Sequence, residues 1–242
     1  MKYLLFSLLA FLAGSLSNFA LSPWDNIFVL LFSFPLLFLI FQNVSGTKKN
    51  RNRVLSFIFF GNLFLFGYFL FGLLWISSAF DYREGFAELK FISIIGLPLL
   101  LCLITTPGWI LTALLWGSRA QNCLALSAGI ITGEYLRSFL FTGFPWNLFG
   151  HSIGFNDYSM QIASIFGFHL SGFFIILFAL SPILLLKRDN ILLGTTFFAI
   201  LPIFIFYGHL RLTSEINFLD KDFLIIQSRI SQDKKLDSNE II

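Results

Sequence analysis

Residues 134–151 read EYLRSFLFTGFPWNLFGH, and the reading of this stretch decides the fold. An acid, Glu134, and a base, Arg137, stand three residues apart in an otherwise apolar run, and a Thr142-Gly143-Phe144-Pro145-Trp146 break follows at once. A charge in hydrocarbon costs roughly 2.5–3.5 kcal/mol on insertion scales and is tolerated where it is paired or functional. The stretch therefore reads as the end of a membrane helix that closes against something specific. At i, i+3 spacing Glu134 and Arg137 lie on one helical face and can pair. Two roles stay open for the pair: closing the helix end, or holding the following loop open over the bilayer for a lipid head group.

Composition carries the same message along the whole chain. Only 12% of the 242 residues are charged and 57% are hydrophobic, whereas a soluble domain carries about 25% charged residues. With a mean hydropathy of +0.82, the chain falls in the membrane class. A span needs about 20 apolar residues to cross a core of ~30 Å, and by that rule about seven are predicted. They are Tyr3–Leu21, Trp24–Phe41, Val54–Phe80, Leu89–Trp116, Asn122–Phe141, Met160–Leu186 and Ile191–Tyr207. The expected fold is thus an all-α polytopic membrane protein. Ser22-Pro23-Trp24-Asp25 predicts a tight turn between the first two spans, because Pro fixes φ and Asp favours turn starts. Pro98 and the Pro107-Gly108 pair predict a kink or break in the fourth. Met1-Lys2 followed by an apolar run reads as an uncleaved first helix, since no small-x-small cleavage site leads into a polar segment.

Alternation of the spans puts Lys2, Lys48, Lys49, Arg51, Arg53, Arg119, Lys187 and Arg188 on one side. By the positive-inside rule that side is cytoplasmic, N-terminus included. The loops around Pro23, Asp81–Glu88 and Thr142–Tyr158 then lie on the opposite side together with the C-terminal tail. From about Gly208 the sequence turns polar, and Phe223-Leu224-Ile225-Ile226 is a short β-prone run that reads as the first strand of a soluble domain. A membrane domain over 1–210 and the start of a second, incomplete domain over 211–242 follow. One strand buries no core by itself.

Other chemistry is thin. No extended basic patch with interleaved aromatics supports nucleic-acid binding. Cys102 and Cys123 sit in apolar stretches and read as small buried hydrophobes. No Cys/His spacing suggests a metal site. No Ser/His/Asp arrangement supplies a nucleophile with its base. His151, His169 and His209 are scattered and read as local and structural, His151 alone standing beside the candidate stretch. Gly129 and Gly133 form a GxxxG that lets another helix approach. Trp24, Trp75, Trp109 and Trp116 read mainly as interfacial belt residues. Trp146, in a tight apolar loop after Gly143-Phe144-Pro145, is placed to touch acyl chains.

Four stretches in order resemble the bacterial apolipoprotein N-acyltransferase family. They are Ala13-Gly14 through Leu21-Ser22-Pro23-Trp24; Gly67 through Gly72 to Trp75-Ile76-Ser77; Glu134-Tyr135-Leu136-Arg137 with Thr142-Gly143-Phe144-Pro145-Trp146; and Ile225-Ile226-Gln227 through Ile230-Ser231-Gln232 with Lys234-Lys235. The third is the most specific. The last is similar to the start of the family's nitrilase-like domain, although Leu236 stands where the family usually has a Trp. The resemblance implies a bacterial inner-membrane protein without cofactor. It implies a Cys thiolate, a Glu base and a Lys at the oxyanion, which move an acyl chain from a membrane phospholipid to the N-terminal amine of a diacylated lipoprotein through a thioester. Those three residues belong to the nitrilase-like domain and map to no position before Ile242. The chain is therefore expected to be the membrane domain of such an acyltransferase and inactive by itself. Glu134, Arg137, Thr142, Gly143, Phe144, Pro145 and Trp146 are its substrate-path candidates. The alternative is a non-enzymatic lipid- or partner-binding membrane protein that complements a separately encoded nitrilase-like half. A small transporter has least support, because the spans show no internal repeat.

Overall fold

The computed structural model describes residues 1–46, 50–82, 89–186, 190–213 and 224–225. Nine α-helices are present among them: α1 (Lys2–Ser17), α2 (Leu30–Ser45), α3 (Asn50–Gly72), α4 (Leu89–Phe91), α5 (Leu97–Leu114), α6 (Arg119–Phe139), α7 (Asp157–Met160), α8 (Ala163–Leu185) and α9 (Ile191–Leu212). The described residues include no strand. Six segments are long and apolar enough to cross a membrane: Lys2–Ala20, Ile27–Ser45, Asn52–Gly72, Leu89–Leu114, Ala163–Leu185 and Ile191–Leu212. The chain is an all-α polytopic membrane protein.

The span expected over Asn122–Phe141 is α6, which ends at Phe139 and does not qualify by composition. At 1.5 Å per residue its 21 residues still reach ~31 Å. It packs between α5 and α8, which puts its polar side chains inside: Asn122, Ser127, Glu134 and Arg137 are all buried. A capping box starts it, with Ser118 Oγ accepting from the Gln121 N–H and Gln121 Oε1 accepting from the Ser118 N–H. The fourth span carries no break. A π-helical turn at Ile92–Gly96 leads into α5, and α5 runs through Pro107. Pro98 lies in the first turn of α5, where a missing N–H is tolerated.

Small residues set the helix spacing. The buried face of α1 is Ala10, Ala13, Gly14 and Ser17, a stripe at i, i+3, i+4 and i+7. It packs on α3, and a Cβ at Gly14 would run into the Phe64 carbonyl. The Gly129/Gly133 spacing is where α6 meets α5, with Gly129 against the Gly108 carbonyl and Thr112, and Gly133 against Thr105. The remaining core is largely aromatic, as in the Phe41–Phe57 stack at 4.1 Å. Trp109 belongs to that core and not to an interfacial belt. It is 1% exposed, and its Nε1 donates to Asn62 Oδ1 of α3 at 3.0 Å.

Two ends of the bundle follow from cross-links. Trp116 Nε1 donates to Ser45 Oγ, and Arg119 to the Ile183 carbonyl, which gathers those residues at one end. At the other end Asn18 Nδ2 donates to the Tyr68 carbonyl, Asn147 Nδ2 to the Gly72 carbonyl, and the rings of Trp75 and Trp146 lie 6.0 Å apart. The three loops expected to share a side contribute their described residues to this second end. Loop residues 83–88, Lys48, Lys49, Lys187 and Arg188 fall outside the described residues. So does the strand predicted over 223–226, save Leu224 and Ile225, which are exposed and in no regular element.

Candidate functional site

The candidate stretch starts inside α6 and turns back on it. After Phe139 the backbone makes a 3-10 turn, Leu140–Thr142, in which φ is +51° at Phe141 and +76° at Thr142, and Gly143 follows at +84°. Only the glycine adopts that region without steric cost. A Phe and a β-branched Thr held there store of order 1–3 kcal/mol each, which persists only where the surroundings over-determine the path.

Arg137 supplies that determination. Its Nη1 donates to the carbonyls of Phe144 at 2.7 Å and Trp146 at 2.6 Å, and its Nη2 to the Asn147 carbonyl at 2.8 Å. The Phe144 N–H returns a bond to the Arg137 carbonyl at 2.7 Å. The guanidinium lies 5.1 Å from the centre of the Phe69 ring on α3. Glu134 acts on the next part of the loop, with Oε1 accepting from the Phe149 N–H at 2.8 Å. The ion pair itself is the looser contact, at 3.7 Å from Arg137 Nη2 to Glu134 Oε1. Both residues are buried, at 1% and 3% exposure. Of the two roles open from sequence, the geometry supports closure of the helix end by folding the loop onto it. A planar fork of donors reaches several carbonyls at once, which an ammonium does not.

The seven sequence-predicted residues thus divide. Glu134 and Arg137 are interior, Gly143 and Phe144 half-buried, and Thr142, Pro145 and Trp146 exposed at the bundle end. Trp146 packs edge-on to Trp75. Sequence reasoning missed the partners that hold this loop to the rest of the bundle. Asn147, at φ +51°, bonds Gly72 and receives the Tyr68 hydroxyl on its carbonyl at 3.1 Å. Asn18 joins α1 to the same point through the Tyr68 carbonyl at 2.8 Å. His169 Nε2 meets Ser138 Oγ at 3.1 Å. The available signal was Asn147 itself, since Asn is among the residues that tolerate left-handed backbone.

His151 lies in the 3-10 turn Phe149–Phe155, with Nδ1 facing the Leu148 N–H at 3.4 Å. Burial, with Arg137 and His169 nearby, holds it below the ordinary histidine pKa. Cys102 Sγ meets the Asn62 carbonyl at 3.5 Å, and Cys123 is a free buried thiol. Among the described residues no three His, Cys, Asp or Glu side chains converge as metal ligands would. The arrangement positions a loop; where it sets a hydroxyl against an imidazole, at Ser138 and His169, the Ser138 hydroxyl donates to the Glu134 carbonyl at 2.8 Å and not to the ring.

The profile of the apolipoprotein N-acyltransferase N-terminal domain matches residues 13–181. An apolipoprotein N-acyltransferase of Rhodopseudomonas palustris is 38% identical over 148 residues, 61% of this chain and 27% of that protein. One from Sinorhizobium fredii is 31% identical over 237 residues, covering 95% and 45%. One from Allorhizobium ampelinum is 35% identical over 208 residues, covering 84% and 38%. The chain spans less than half the length of these relatives.

Proposed function

This chain belongs to the apolipoprotein N-acyltransferase N-terminal domain family, and we propose that it is the membrane scaffold for acyl transfer from a phospholipid to the N-terminal amine of a diacylated lipoprotein. Residues 1–210 are its membrane domain, and 211–242 begin a nitrilase-like domain. The basic end of the bundle faces the cytoplasm of a bacterial inner membrane. The Glu134–Trp146 end faces the periplasm, beside the catalytic domain.

One observation carries this reading. Arg137 spends its donors on the Phe144, Trp146 and Asn147 carbonyls, so Pro145 and Trp146 are presented outward on a fixed loop. An apolar loop so held, at a membrane surface, suits the wall of a path for acyl chains. Neither Cys102 nor Cys123 suits the nucleophile, because both are buried free thiols within helices.

The test is acyl transfer to a diacylated lipopeptide in phospholipid micelles, by the chain alone and after addition of the nitrilase-like part of a relative. The expected result is no turnover alone and turnover with the added part, reduced about tenfold by Trp146→Ala, or roughly 1.4 kcal/mol of transition-state stabilisation. Turnover by the chain alone would place the nucleophile within it and sink the scaffold reading.

A further inference from the structure

At the end of the bundle that carries Trp146, a small polar cavity of about 280 Å³ is lined by Leu21, Ser22, Asp25, Asn147, His151 and Gly154. It falls below the ~300–1,000 Å³ of a pocket for a drug-sized ligand. Its walls are held by backbone contacts. The Asp25 N–H donates to the Leu21 carbonyl at 3.1 Å and the Asn26 N–H to the Phe19 carbonyl at 2.8 Å, which fixes the turn between α1 and α2. Asn147 is held through its carbonyl by Arg137 and Tyr68. We propose that this cavity binds the phosphoethanolamine head group of a membrane lipid, with Asp25 receiving the ammonium.

Depth, charge and donor pattern select the occupant. Asp25 lies between the candidate spans Lys2–Ala20 and Ile27–Ser45, beside the exposed rings of Phe19 and Trp24, whose centres are 5.0 Å apart. Aromatic rings at span ends mark the level of the lipid head groups. Among the described residues that line the cavity, Asp25 supplies the one full charge, and its carboxylate makes no hydrogen bond or ion pair with another described residue. His151 does not offset that charge, because burial, with Arg137 and His169 nearby, holds it below the ordinary histidine pKa. A cation is therefore the matching ligand. A metal ion would need more ligands, and no three His, Cys, Asp or Glu side chains converge among the described residues. A quaternary ammonium donates no hydrogen bond and is held on aromatic faces, whereas no Phe, Tyr or Trp is among the lining residues. A primary ammonium fits the carboxylate. Donors for the adjoining phosphate are present too. His151 Nδ1 faces the Leu148 N–H at 3.4 Å, so the neutral ring carries its proton on Nε2. That N–H and the Ser22 hydroxyl are uncommitted among the described residues.

The measurement is native mass spectrometry of the chain in a nonionic detergent, titrated with phosphatidylethanolamine and with phosphatidylcholine of the same short acyl chains. The wild type is expected to favour phosphatidylethanolamine about fivefold, the upper end for a solvent-accessible ion pair. Asp25→Asn keeps the shape of the side chain, and Asn tolerates the +50° φ of this position. It is expected to bring the two lipids within about twofold of each other. Asp157→Asn removes a carboxylate from the adjoining pocket, which shares Gly154, and is expected to keep the preference. Equal binding of the two lipids by the wild type overturns the site. So does a preference that survives Asp25→Asn, or one that Asp157→Asn abolishes equally. A diacylated lipopeptide, with its amine free or acetylated, is titrated in parallel. If its binding is lost on acetylation and in Asp25→Asn, while the wild type does not distinguish the two phospholipids, the ammonium belongs to the lipopeptide and the head group is overturned as occupant. None of these readings involves acyl transfer, so this inference and the proposed function fail separately.

Discussion

Replacement of Arg137 by Met is the sharpest test of the loop closure. Methionine keeps the length and apolar stem of the side chain and removes every donor. Three hydrogen bonds to carbonyls are lost. Bonds to a charged group contribute about 1.5–3 kcal/mol each, but they share one guanidinium and do not add. Glu134 is left as a buried acid without its partner, with Oε2 already open among the described residues. Breaking a buried pair from one side costs about 3–5 kcal/mol, and we take that as the net effect. At about 2–4 °C per kcal/mol for a chain of this size, the midpoint of thermal unfolding in detergent should fall by roughly 6–20 °C. Glu134→Gln keeps an acceptor for the Phe149 N–H and loses only the 3.7 Å contact, so it should cost about 1 kcal/mol. In the double variant the carboxylate is no longer orphaned, and its loss should fall short of the sum of the singles by about 1–2 kcal/mol. Arg137→Lys should lie between, since one ammonium reaches fewer carbonyls. A midpoint for Arg137→Met within about 1 °C of wild type would refute the claim that the guanidinium determines the loop. Strict additivity of the pair would refute its coupling to Glu134.

Three further outcomes are expected. Gly129→Val puts side chain into the Gly108 carbonyl and Thr112 at the α5–α6 crossing, and should cost more than about 3 kcal/mol, read as loss of monodisperse protein on size exclusion. Trp146→Ala, in contrast, removes an exposed ring whose side chain donates no hydrogen bond among the described residues, so stability should change by less than about 1 kcal/mol in the same melt. His151 is held below the usual value of 6.5. Its neutral form therefore favours the fold; the stabilisation is complete above pH 6.5 and declines as the pH falls below 6.5 toward the depressed value. Melting midpoints taken between pH 8 and pH 5 should show a drop at the acid end that His151→Gln reduces, and identical profiles would remove His151 as its source.

The helices were legible because the signal is local. An apolar run of sufficient length is a membrane helix whatever surrounds it, and six of the expected spans need no other information. α6 was legible too, but for a different reason from the rest. Its polar residues belong inside, on the side that meets α5 and α8, so the helix forms through its neighbours and not through apolarity. Trp109 shows where local reading stops. A tryptophan near a span end suits an interface, yet its Nε1 finds Asn62, 47 residues away in sequence. No spacing rule predicts that a polar group on another helix will make burial affordable for an indole.

The same limit governs the candidate site. Glu134 and Arg137 at i, i+3 are visible as a pair, and the pair is nonetheless the longest of their polar contacts, at 3.7 Å. What matters is that the chain reverses through Phe141, Thr142 and Gly143, so that the carbonyls of residues 144, 146 and 147 return to the helix that bears the arginine. Tyr68 then bonds the Asn147 carbonyl and Asn147 bonds the Gly72 carbonyl. Asn18 in turn bonds the Tyr68 carbonyl, so the turn after α1, the end of α3 and the α6 loop meet at one point. A change at Asn18 should therefore move the loop without touching it. Asn18→Ala deletes the bond to Tyr68 and, through it, loosens the support of Asn147. If the closure is cooperative, a probe on the loop, such as quenching of Trp146 fluorescence in a variant whose other tryptophans are replaced by phenylalanine, should report increased access in Asn18→Ala. Unchanged quenching would mean that Arg137 holds the loop alone, and that the network around Asn147 serves only to pack α1 against α3.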